Sequence, residues 1–131
     1  MIDLAARELR TLRRQLIQTT GRLARMVLPG TVKPGSQDMA NRTVRLLLAT
    51  GEDGSEILSP PVRWPEPGAG RLQVHSAPAD DAQMDLHSPS GTIGTTSKAI
   101  WSTYDEDNPP PSDQADEAVV KFGDSTVRLT A

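Results

Sequence analysis

The sequence predicts a mainly β protein: an N-terminal helix, a small barrel of short strands, and a short C-terminal β-hairpin. Three observations predict it. Apolar residues recur at alternating steps of three and four from Ile2 to Met26. From residue 28 to about 104, short apolar runs are separated by Gly, Pro, Asn and Asp turns, with no second amphipathic helix among them. Val120, Phe122, Val127 and Leu129 then alternate with polar residues on either side of Gly123-Asp124-Ser125-Thr126. A chain of 131 residues holds one compact domain with appendages. Its aromatic inventory is Trp64, Trp101, Tyr104 and Phe122, too little for one large core. A small barrel that shares apolar surface with copies of itself fits that shortage.

Residues 1–27 make the helical segment. Ile2, Leu9, Leu16 and Leu23 fall at one core position of a heptad, and Ala5, Leu12, Thr19 and Met26 at the other. Burying one such Leu is worth about 1.5–3 kcal/mol, while an isolated helix of this length is marginal in water. The seam therefore calls for a partner, with Ile2, Leu9, Leu12, Leu16 and Leu23 as the self-association or docking residues. The alternative is that the stripe packs on the barrel of its own chain. Gly21, costing about 1 kcal/mol relative to Ala, predicts a kink or an end after Thr19-Thr20. Arg7, Arg10, Arg13, Arg14, Arg22 and Arg25 stand against Asp3 and Glu8, so this end is basic although the chain carries a net charge of −3.

Residues 28–104 make the barrel. Leu28 to Lys33 leads out of the helix as a first strand, and Pro34-Gly35-Ser36 breaks it. Asn41 to Ala49 reads as one long half-buried strand, with Val44, Leu46 and Leu48 on one face and Leu47 on the other. Asp53-Gly54 turns the chain into Glu56-Ile57-Leu58. Pro60, Pro61, Pro65 and Pro67 with Gly68 and Gly70 predict a long, stiff connection without strand. Short strands are expected again at Arg71 to His75, Gln83 to His87 and Lys98 to Tyr104. Such a set predicts a small all-β barrel, and an OB-type Greek-key barrel is the leading candidate.

Several of these segments, in this order, resemble the baseplate assembly protein V family, the central spike proteins of contractile phage tails. The likeness rests on Pro29-Gly30-Thr31-Val32-Lys33 after a helix, on Val62-Arg63-Trp64-Pro65 after a proline-rich turn, and on Ser88-Pro89-Ser90-Gly91 before the last barrel strand. The segment Tyr104-Asp105-Glu106-Asp107-Asn108-Pro109-Pro110-Pro111-Ser112 then leaves the barrel. The resemblance covers most of residues 22 to 130 and implies an OB-fold collar at the base of a homotrimeric spike in the virion tail, assembled in the host cytoplasm.

Residues 105–118 read as an acidic, proline-rich, extended linker. Residues 119–131 read as a hairpin, which is marginal in water when isolated. The resemblance implies that Val120, Phe122, Val127 and Leu129 form the core of a trimeric β-prism. A sequence ending at Ala131 without a His-x-His pair is expected to contribute a stub and not the iron-binding tip. The implied partners are two further copies, a baseplate hub protein, a tape-measure protein at the helix and a separate tip protein at the C-terminus.

No catalytic residue, metal site or cofactor is expected. With no cysteine, thiolate metal sites and cysteine nucleophiles are excluded. His75 and His87 lack tight His-x-His spacing. Ser88-Pro89-Ser90-Gly91 lacks the glycine two residues before the serine that a nucleophile elbow needs, and Gly91-Thr92-Ile93-Gly94 lacks a lysine in phosphate-loop spacing. No apolar run reaches the roughly 18–20 residues of a bilayer span, and charges interrupt the N-terminus where a signal peptide would be apolar. The competing function is an OB-fold that grips single-stranded nucleic acid. It needs aromatic platforms in a basic groove, and neither is evident in an acidic chain with few aromatics, so no nucleic acid is expected.

Overall fold

The computed structural model of the chain describes residues 2–68 and 70–131, with backbone alone at Ile2. The helix α1 (Ile2–Ala24) is continuous through Gly21, so the expected end there is corrected. It closes instead through tight bonds of the last turn, Arg25 N–H to Arg22 O (3.1 Å) and Met26 N–H to Leu23 O (3.2 Å). Residues 3 to 20 are exposed except for half-exposed Ala6. The helix does not lay its apolar stripe on the sheet of its own chain.

The strands β1 (Val27–Val32), β2 (Thr43–Val44), β3 (Leu46–Thr50), β4 (Glu56–Leu58), β5 (Val62–Arg63), β6 (Gln83–His87) and β7 (Lys98–Trp101) form one mixed sheet in the order β2-β5-β7-β6-β1-β3-β4. Only Arg45 separates β2, at one edge, from β3, near the other edge. One short run of chain thus belongs to both sides of the sheet, and the sheet must curl to allow it. All pairings are antiparallel except β5 with β7, where Arg63 lies beside Lys98.

Four expectations for this region need correction. Asn41 to Ala49 is two strands, β2 and β3, because the curl is taken up at Arg45. Val62–Arg63, inside the proline-rich connection, is a strand. It pairs with Thr43–Val44 and, in parallel, with Lys98, while just upstream the Ser59 hydroxyl receives Leu46 N–H (2.8 Å) and donates to Pro60 O (2.9 Å). Arg71 to His75 is irregular, with one backbone bond from Val74 N–H to Pro67 O (3.2 Å). Leu72 and Val74 alternate as a strand would, yet both are exposed and the facing Pro67 cannot complete a ladder. The last barrel strand ends at Trp101, short of Tyr104.

Val32, Val44, Leu46, Val62, Trp64, Met84, Leu86 and Ala99 form the core inside the curl, with Leu28, Leu48, Ala82 and Ile93 packed around it. Register explains the membership: Leu28 faces Leu86 and Leu86 faces Ala99, so one row of inward side chains crosses three strands. An extra residue in β3 between Leu47 and Ala49 bulges the strand and lets Leu48 join this core.

The linker is not extended throughout. Asp105 carboxylate receives Asn108 N–H (2.9 Å), and Asn108 Nδ2 donates to Asp80 O (3.1 Å), pinning the start of the linker beside the curled sheet. Short Asp and Asn side chains favour such local turns. Beyond it, β8 (Glu117–Phe122) and β9 (Ser125–Thr130) pair as a separate hairpin around the two-residue loop Gly123-Asp124.

Candidate assembly surfaces

Two surfaces gather the residues singled out in the sequence. On α1, Leu9, Leu12, Leu16 and Leu23 keep 60–68% of their surface exposed. Met26 lies past the end of the helix and leaves the seam. The Ile2 side chain is outside the described residues. Leu4 and Ile17, exposed as well, lie off the seam. A line of leucines in water forgoes about 1.5–3 kcal/mol for each side chain.

On the hairpin, register places Ala118 opposite Leu129, Val120 opposite Val127, and Phe122 opposite Ser125. Strand alternation then puts Val120, Phe122, Val127 and Leu129 on one face. Their exposures are 72, 82, 62 and 68%. The other face carries Glu117, Val119, Lys121, Thr126, Arg128 and Thr130, where Arg128 Nη1 grips both oxygens of Glu117 at 2.7 and 2.8 Å. Hydrogen bonds from Ser112 and then Arg128 hold the Glu117 carboxyl below its ordinary pKa, against the effect of partial burial. One face is thus satisfied within the chain and the opposite face is bare.

The stretch Ser88–Gly91 seats the helix on the sheet. Ser88 N–H donates to Met26 O (2.8 Å), Arg25 Nε donates to Gly91 O (3.1 Å), and the buried hydroxyls of Ser88 and Ser97 lie 2.7 Å apart. Gly91 has φ +72, and a Cβ there would stand 2.3 Å from Arg22 O. The turn serines therefore act as joinery, consistent with the absence of a nucleophile pattern.

A third feature lies beyond the reach of the sequence reading. Glu66 accepts from Trp64 Nε1 (2.8 Å) and Ser76 N–H (3.3 Å), pairs with Arg42, and has His75 Nδ1 2.9 Å away. The Arg42 guanidinium also lies 5.5 Å from the Trp64 ring centroid. Burial pushes the Glu66 pKa up, but the bonds from Trp64, His75 and Ser76 and the charge of Arg42 outweigh it, and the carboxyl sits below its ordinary value. This hub borders a cleft of about 870 Å³ that Arg63 and Lys98 also line. Trp64 and Glu66 are two residues apart, the spacing of one strand face, which is the one signal of the hub that the sequence carries.

His75 belongs to that hub, and His87 ends β6 opposite Lys98. No group of three or more His, Cys, Asp or Glu suited to a metal ion occurs among the described residues. No helix among them is long and apolar enough to cross a membrane. No protein-family model matches the chain, and no curated protein matches it significantly.

Proposed function

We propose that this chain is a structural component of a contractile phage tail, the central spike or hub piece of the baseplate, acting as a homotrimer without turnover. Three barrels close the end of the tail tube and three hairpins share their apolar faces as a short β-prism. The helices engage one another or the hub and tape-measure proteins, and the hairpin stub carries a separate tip protein. Its action is mechanical: thrust from sheath contraction passes through the barrels to the stub.

The observation that carries this reading is the bare apolar face at each end of the chain, Leu9, Leu12, Leu16 and Leu23 on the helix and Val120, Phe122, Val127 and Leu129 on the hairpin. An isolated hairpin needs further strands or a packing partner, and copies of itself supply the same face. The pairing order supports an OB-type collar. Taking 27–32, 43–50, 56–63, 83–87 and 98–101 as five runs, the first pairs with the second, the second with the third, the third in parallel with the fifth, and the fourth with both the fifth and the first. Light scattering behind a sizing column tests the proposal. A salt-resistant species of about three times the 14.1 kDa chain mass is expected, and a folded monomer at micromolar concentration refutes it.

One observation favours a second reading, an OB-fold that binds single-stranded nucleic acid: the cleft lined by Arg42, Arg63 and Lys98. Trp64 beside it is 6% exposed and offers no stacking face. Tight binding of a labelled oligothymidine at moderate salt, lost on Arg63→Ala with Lys98→Ala, would favour this reading over the spike.

A further inference from the structure

We propose that the α1 helices associate in parallel and in register, with Glu8 of each copy paired to Arg13 of its neighbour. This rests on the homotrimer reading, whose rotational symmetry already requires parallel helices, and adds the residues that fix their register. Glu8 is the sole acid between residues 4 and 24. The residues three and four positions away on the same helix are Leu4, Ala5, Thr11 and Leu12, so no cation can reach Glu8 by the pairing that stabilises single helices. Among the described residues it forms no ion pair. Its place is immediately beside the seam, one residue before Leu9. Arg13 borders the same seam on the other side, one residue after Leu12. In parallel coiled coils these two flanking positions meet across the interface, five residues apart in sequence, and set partner choice.

The two possible orientations differ in what they bring together. Parallel helices in register stack Leu9, Leu12, Leu16 and Leu23 each on its own counterpart, set Glu8 against Arg13, and set Gln15 against Thr20. Arg22 then has no helical counterpart, because the position five residues on is Val27 in β1. Antiparallel helices that keep Leu16 on Leu12 put Leu9 against Thr19 and Leu23 against Ala5. They gain Glu8 against Arg22 but force Arg13 onto Arg13. Parallel packing therefore has more leucine-on-leucine layers and no like-charge contact along the seam. Arg7, Arg10 and Arg14 face outward in either orientation.

Two experiments on the full chain test this. First, Glu8→Arg and Arg13→Glu are made singly and together, and association is measured by sedimentation at low salt and at 1 M salt. Each single change should weaken association about tenfold or more at low salt, the pair of changes should return to within about threefold of the parent, and high salt should shrink the differences. Single changes without effect, or a double variant as weak as either single one, overturn the pairing even if the trimer stands. Second, the chain has no cysteine, so Leu9→Cys can report orientation by oxidation, since only close backbones form a disulfide. Covalent pairs from the Leu9→Cys variant alone are expected. Cross-linking only when Leu9→Cys is mixed with a Thr19→Cys variant shows antiparallel helices and overturns both the pairing and the rotational trimer. No cross-link in a trimer assigns the seam to another protein, and a monomer removes both this inference and the reading beneath it.

Discussion

Replacing Gly91 by alanine tests how the helix is joined to the curled sheet. Gly91 is buried with φ +72, a region that costs a residue with a Cβ about 1–2 kcal/mol. The new methyl would also stand 2.3 Å from Arg22 O, 2.6 Å from Arg22 Cβ and 2.7 Å from Arg22 C. Backbone atoms cannot swing aside, so the end of α1 must move. That movement breaks the bond from Arg25 Nε to Gly91 O, worth about 1 kcal/mol. Gly54 provides the control, with φ +85 and no atom within 4 Å of its built Cβ. Gly54→Ala should cost about 1–2 kcal/mol from backbone strain alone, and Gly91→Ala about 1–2 kcal/mol more. The assay is urea unfolding at one fixed protein concentration, since association shifts the midpoint, together with trypsin cleavage after Arg22 and Arg25. Faster cleavage is expected only in Gly91→Ala. Equal losses in the two variants, with unchanged cleavage, would refute the view that Gly91 seats the helix.

Leu16→Asp should leave the folding of a single chain within about 0.5 kcal/mol, because Leu16 is 67% exposed, while weakening assembly; unchanged trimer stability and hub binding by sizing and light scattering would count against the seam. Phe122→Ser, at a site 82% exposed, should likewise spare the barrel but remove about 1.5–3 kcal/mol per copy from a shared hairpin core; a trimer of unchanged dissociation constant would exclude that core. The carboxyls of Glu66, Glu117, Asp38, Asp53 and Asp80 all sit below their ordinary pKa values in the folded chain. Their stabilisation is therefore present above the ordinary carboxylate range of about pH 4 and is lost as pH falls from there through the folded values. Acid titration followed by tryptophan fluorescence in a Trp101→Phe background, which leaves Trp64 as the reporter, should show a transition that Glu66→Gln makes shallower, and an identical profile in that variant would remove Glu66 from the account.

The sequence is most legible where local pattern and local chemistry coincide. The heptad steps of α1, the turn at Asp53-Gly54 and the alternation around Gly123-Asp124 depend on residues within a few positions of one another. Where partners are distant it misleads. Leu72 and Val74 alternate as a strand would, but the residue facing Val74 is Pro67, which supplies no N–H. Val62–Arg63 is hidden among four prolines and is a strand because Thr43–Val44 and Lys98, distant in sequence, pair with it. The segment 41–49 reads as one straight strand, since nothing in its residues marks Arg45 as the point where the sheet turns on itself. The Glu66 hub joins Arg42 to His75 across 33 residues, a separation that periodicity does not reach.

Where the apolar residues lie explains why association is the natural reading of this chain. The core inside the sheet consists of eight buried residues, of which only Trp64 is aromatic. The seam leucines and the hairpin's apolar row add eight more large side chains left in water. A single chain could cover the first group only by laying α1 along the sheet, but α1 meets the barrel at its last turn, where Gly91 and Arg25 hold it. It could cover the second only by folding the hairpin back, yet Asn108 ties the linker to Asp80, and Pro109, Pro110 and Pro111 stiffen the linker beyond that tie. Both routes to self-burial are therefore opposed by specific contacts, whereas copies related by rotation present matching faces at both ends at once. The joint at Gly91 and the stiffness of the linker thus direct the same surfaces outward, and loosening either one should turn a defined assembly into chains that bury their own seams.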